Sequence, residues 1–125
     1  MDLLKKLQIP TETPVFVVDG PKGFELGARV SRKEDGAAVL VFAVNTKALE
    51  TRAKPAIDAA REDRLSWVAY PKAGQLGTDL HRDKLNDLMK PFGIEGVRMV
   101  SIDRVWSAMR FRPTRRRMLA REEAD

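Results

Sequence analysis

The chain has 125 residues, 43% of them hydrophobic and 33% charged, which fits one globular domain with its own core and excludes a disordered chain. It has no cysteine, which excludes disulfides, a thiolate nucleophile and cysteine-ligated metal. Of the net charge of +5, residues 112–125 carry +2, with five arginines against Glu122, Glu123 and Asp125, so any basic signal for nucleic acid is local to the tail.

Residues 2–8 place Leu3, Leu4 and Leu7 at helical spacing and predict a short helix, ended by Ile9-Pro10. It lacks the apolar core of a signal peptide, and no apolar run approaches the ~20 residues of a membrane span. A cytoplasmic protein with no membrane association is the expectation.

Residues 14–20 (PVFVVDG) read as a first strand, apolar without alternation, as suits a strand covered on both faces of a parallel sheet. Asp19-Gly20-Pro21-Lys22-Gly23 is a turn, and residues 24–30 are read as a short helix with Phe24, Leu26 and Ala28 toward the sheet. Residues 37–45 (AAVLVFAVN) are the second and most apolar strand. Asn45 or Thr46 then caps a helix to about residue 62, whose buried stripe is Leu49, Ala53, Ala56, Ile57 and Ala60. Pro55 interrupts the hydrogen-bond ladder there, predicting a kink or two short helices.

Residues 65–70 are the third strand, expected at the centre of the sheet and running into Tyr70-Pro71-Lys72. A loop with Gly74 and Gly77 follows. Thr78 or Asp79 is the expected cap of the next helix, with Leu80, Leu85, Leu88 and Met89 inward and Pro91 and Gly93 as its stop. Residues 97–102 and 105–111 alternate in part, predicting an antiparallel pair toward an edge, joined at Asp103-Arg104. Residues 1–113 are thus read as one α/β domain and 114–125 as a flexible charged tail.

Three segments, WVAYPK (67–72), TDLHRDKLNDLMKPFG (78–93) and VSIDRVWSAMRFRP (100–113), resemble an uncharacterised bacterial domain-of-unknown-function family. KKLQIP (5–10) before a strand fits the same pattern. That family has no established activity, so the resemblance implies none. At the level of fold, the element order over residues 37–113 is similar to the C-terminal half of Rossmann-like methyltransferases. This implies a three-layer Rossmann-like sandwich of about five strands, mostly parallel, in the order 1-2-3-5-4 by strand number with the last strand antiparallel. The turn at Asp19-Gly20 only loosely echoes the cofactor loop of those enzymes, and residues 32–36 compress the region of their next two strands. No cofactor is therefore predicted, with S-adenosylmethionine or a nucleotide as the alternative.

In an open α/β sheet, ligands bind beyond the carboxyl ends of the strands. The residues placed there are Asp19, Gly20, Asn45, Tyr70, Lys72, Asp79 and Arg82, a candidate pocket for a small anionic ligand or a protein partner. Each also has a structural explanation: turn, cap, strand anchor or ion pair. His81 is the single histidine, which argues against a metal site or a nucleophile triad. Trp67 and Trp106 are read as core or edge packing, Trp106 on a half-exposed strand. Arg112, Arg115, Arg116 and Arg117 form one basic patch, without interleaved aromatics.

No catalytic constellation emerges, so catalytic and metal-binding residues are expected to be absent. The leading expectation is a non-catalytic binding module, monomeric or homodimeric. The alternatives are a degenerate methyltransferase-like enzyme and a nucleic-acid accessory protein using the arginine tail.

Overall fold

The structure, a computed structural model, describes residues 3–26, 30–31 and 38–114. Its centre is a six-stranded mixed sheet with four α-helices. The elements run α1 (Leu3–Lys6), β1 (Val15–Val18), β2 (Val30–Ser31), β3 (Ala38–Phe42), α2 (Thr46–Arg52), α3 (Lys54–Arg61), β4 (Ser66–Pro71) and α4 (Arg82–Met89). A 3-10 turn (Lys90–Phe92), β5 (Ile94–Ser101) and β6 (Trp106–Pro113) complete the chain.

The spatial order is β2-β1-β3-β4-β6-β5. The first four of these strands are mutually parallel, whereas β6 lies antiparallel between β4 and β5. Strand count and order differ from the expected five-strand 1-2-3-5-4 arrangement. Val30-Ser31 forms a further strand outside β1, so β1 is not an edge. A two-residue strand is too short to show a period, and Val30 is exposed, so no apolar run announces it.

β3 and β4 are buried along their whole length, which explains their unbroken apolar sequences. Alternate residues point to opposite faces and separate two cores. Val39, Val41, Val68, Tyr70, Met109 and Phe111 pack under α2, α3 and α4. On the other face, Leu40, Phe42, Trp67, Ala69, Trp106 and Ala108 pack under α1 and the segment around Leu26.

The expected helix over residues 24–30 is not formed at Phe24–Leu26, which is irregular, and residues 27–29 lie outside the described residues. Phe24 and Leu26 still reach the core: Phe24 packs edge-on against Phe42, which packs edge-on against Trp106. Pro55 divides α2 from α3 and sits in the first turn of α3, where its missing N–H costs no helical bond. α4 begins later than expected. His81, not Thr78 or Asp79, is its cap, with Nδ1 accepting from the Lys84 N–H at 3.3 Å. Gly93, at φ 81°, turns the chain out of the 3-10 turn into β5.

β5 lies at the sheet edge and carries an irregularity between Gly96 and Arg98, where Val97 has no ladder partner. The link to β6 is a turn in which Asp103 Oδ1 accepts from the N–H groups of Val105 and Trp106, both at 2.8 Å. No helix among the described residues is long and apolar enough to cross a membrane.

Candidate functional site

The carboxyl ends of β1, β3 and β4 bring the candidate residues to one end of the sheet. Asp19 turns outward, and its Oδ2 pairs with Arg52 Nε at 3.0 Å. Asn45 Oδ1 caps α2, accepting from the Ala48 N–H at 2.8 Å. Gly20 lies under Phe24: a methyl group there would stand 3.2 Å from Val17 Cγ1 and 3.6 Å from the Phe24 ring. The turn at Asp19-Gly20 therefore has an aromatic side chain folded beside it, not an open cradle.

Asp79 belongs to the N-terminus of α2 rather than that of α4. Its Oδ1 accepts from the Thr46 N–H at 2.8 Å and its Oδ2 pairs with Lys84 at 3.1 Å. The Thr46 N–H, and then the Lys84 ammonium, hold this carboxyl down at about 2. Tyr70 donates its O–H to Met99 Sδ at 2.9 Å, and burial raises its pKa against an opposing pull from Arg82. Lys72 donates to Ser101 Oγ at 2.6 Å, while Arg82 leans on neighbouring Asp83 at 3.3 Å. Every charged group of the predicted set thus has a partner from the protein itself. Arg112 lies in β6 and forms a two-pronged pair with Asp63, both contacts at 2.9 Å. Arg115, Arg116 and Arg117 lie outside the described residues.

Among the described residues, two concavities lie on the helical face. The larger is a groove of about 580 Å³ between α2–α3 and the end of α4. Leu49, Ala53, Ile57, Leu88, Met89 and Phe92 supply its apolar lining, with Glu50, Lys54, Asp58 and Arg61 at the rim. Lys54 and Asp58 pair across one turn of α3 at 2.6 Å. Phe92, 45% exposed, stands at its mouth because the 3-10 turn lifts it off the core. The smaller, about 250 Å³, lies where α4 faces β5, between Arg82, Asn86, Gly96, Met99 and Met109.

In the sequence, Leu49, Ile57, Leu88 and Met89 read only as core stripe. Leu49, Ile57 and Met89 are themselves buried, so the sequence does not distinguish groove lining from core. Among the described residues, no cluster of three or more metal-ligating side chains is present.

No protein-family model, curated protein or solved structure matches the chain. Its function is therefore argued from its geometry.

Proposed function

We propose that this protein is a non-catalytic α/β binding module that seats a small amphipathic ligand in the groove between α2–α3 and α4. The observation that supports the reading is the lining: a concave, largely apolar space of about 580 Å³ with a few charged groups confined to the rim. That is the form and size of small-molecule sites, in which apolar walls supply affinity and rim charges orient a polar head. The helices over one face, with α1 over the other, fit a reduced Rossmann-like layering. A reduced S-adenosylmethionine site draws no support from the turn at Gly20, where Phe24 occupies the adjoining space.

The test uses an anilinonaphthalene sulfonate dye, an apolar body with an anionic head, followed by displacement with a medium-chain fatty acid. The folded protein is expected to bind the dye saturably and release it to the fatty acid. The Leu88→Arg/Phe92→Asp variant should bind at least about tenfold more weakly, because it loses apolar contact worth about 1.5–3 kcal/mol per side chain. Lys72→Gln, at the carboxyl end of β4, should bind like the parent. Equal dye affinity in the groove variant, with its melting temperature retained, rejects the reading.

A further inference from the structure

The β5–β6 hairpin and the residues just beyond it carry the chain's whole excess of positive charge. Residues 94–117 hold seven arginines against Glu95 and Asp103, and the remaining chain is balanced. Three of the seven are brought together by strand pairing. Arg98 and Arg110 are direct cross-strand partners, and Arg112 follows two residues along β6, about 6.8 Å away by strand rise. Like charges opposed in this way weaken a ladder unless something offsets them.

For Arg112 the offset is present: Asp63 takes both prongs of its guanidinium, and Glu95 faces it across the strands. Arg110 has no direct ion pair among the described residues. Its Nη1 donates only to the neutral amide oxygen of Gln8, at 3.0 Å, and its Nε is buried with no acceptor. Burial, and then Arg112 and Arg98, lower its pKa against an opposing pull from Asp63, which is already engaged by Arg112. Arg98 is exposed on the edge strand and has no ion pair among the described residues. Two adjacent guanidiniums without a direct ion pair form a site for an anion, and oxyanions of phosphate match their fork geometry.

We propose that the β5–β6 hairpin, through Arg98 and Arg110, binds the phosphate backbone of a nucleic acid. A single phosphate would engage the pair alone. Arg104 stands in the turn at the other end of the hairpin, and in the sequence beyond β6 Arg115, Arg116 and Arg117 follow. A surplus of cations spread over the hairpin and the sequence beyond it calls for a repeating anion. Trp67, which pairs with Arg110 across β4 and β6, and Trp106 are both buried, so no tryptophan stacking platform accompanies these cations, and contact is through phosphates without sequence preference. This surface is separate from the groove, and either reading can fail without the other.

The experiment measures anisotropy of a fluorescein-labelled oligothymidine with the full chain, titrated from about 50 to 200 mM salt. Binding is expected at the lower salt and should weaken steeply across the range. Arg98→Gln/Arg110→Gln should bind about tenfold more weakly and flatten the logarithmic salt slope by about 1.4, at roughly 0.7 per phosphate contact on a single strand. The Arg98→Lys/Arg110→Lys variant should recover most of the affinity. Arg98→Gln alone, a change at an exposed side chain that leaves folding intact, should remove about 0.7 of the slope. Lys54→Gln, at the groove, should change nothing.

The proposal is overturned if the parent does not bind, or if the glutamine variants keep its affinity and slope. Equal binding of a polyglutamate peptide overturns it in favour of an acidic protein surface. Loss of binding only when Arg115, Arg116 and Arg117 are replaced overturns it in favour of the tail.

Discussion

Asp79 joins two helices through one carboxylate. One oxygen takes the first free N–H of α2, at Thr46, and the other takes Lys84 from the first turn of α4. Its folded pKa lies at about 2 against an ordinary 3.8. A depressed carboxyl stabilises the fold above its unfolded pKa, and that contribution is lost as pH falls toward the folded value. Acid unfolding of the parent should therefore include a loss between about pH 4 and 2 that Asp79→Asn lacks, and the variant should be the less stable at neutral pH. Thermal melts across that window decide it; superimposable pH profiles would remove Asp79 as a stabilising link. Gly96 makes a second residue-scale case. Its N–H donates to Asn86 Oδ1 at 2.9 Å, and a methyl group there would meet Met109 Cγ at 2.9 Å. Gly96→Ala should cost roughly 1–3 kcal/mol in urea denaturation, because Met109 is buried and must shift to admit it. Neither partnership is legible in the sequence. The chain order alone groups Asp79, Tyr70 and Lys72 around the end of β4. Their partners, however, are Thr46, Met99 and Ser101, each about thirty residues away and set only by how the elements pack.

At the scale of elements, the sequence speaks where burial is complete and falls silent where contact is partial. β3 and β4 are apolar throughout because both faces are covered, so their runs identify them directly. β2 is two residues at an edge, held by the register with β1 rather than by its own pattern. The start of α4 is masked for a different reason: Thr78, Asp79 and His81 can each serve as a cap, and the choice depends on which carboxylate α2 recruits. α1 is a single turn and cannot be stable alone. Leu4, Leu7 and Ile9 bury against the sheet, and Trp67 donates its indole N–H to the Leu7 carbonyl at 2.9 Å. Trp67→Phe keeps an aromatic ring in β4 but removes that donor and part of the ring volume. The amides of residues 7–9 should then exchange faster than those of α3, with a global cost of about 1–3 kcal/mol. Uniform loss of protection in both helices would show that the indole bond is not what fastens α1.

The whole molecule turns on the sheet being a shared wall. Leu40 lies in the core under α1 and Val41 in the core under α2 and α3, one peptide bond apart on a strand buried along its whole length. Neither core can lose its packing while β3 stays in place, and β3 cannot leave without exposing both. The two faces should therefore unfold in one transition even though their side chains do not mix. Leu40→Ala should cost about 2–5 kcal/mol through lost burial and the cavity left behind. Val41→Ala should cost less, about 1.5–3 kcal/mol, since fewer carbons are removed. The decisive readout is shape rather than size: each variant should melt in a single step whose calorimetric and van't Hoff enthalpies agree, with tryptophan fluorescence and far-ultraviolet dichroism coincident. Trp67 and Trp106 both report on the α1 face, whereas most of the helical signal comes from α2, α3 and α4 on the other. Separation of the two probes in Val41→Ala would mean that the helical face loosens while the α1 face holds, and that β3 does not transmit the loss through the sheet.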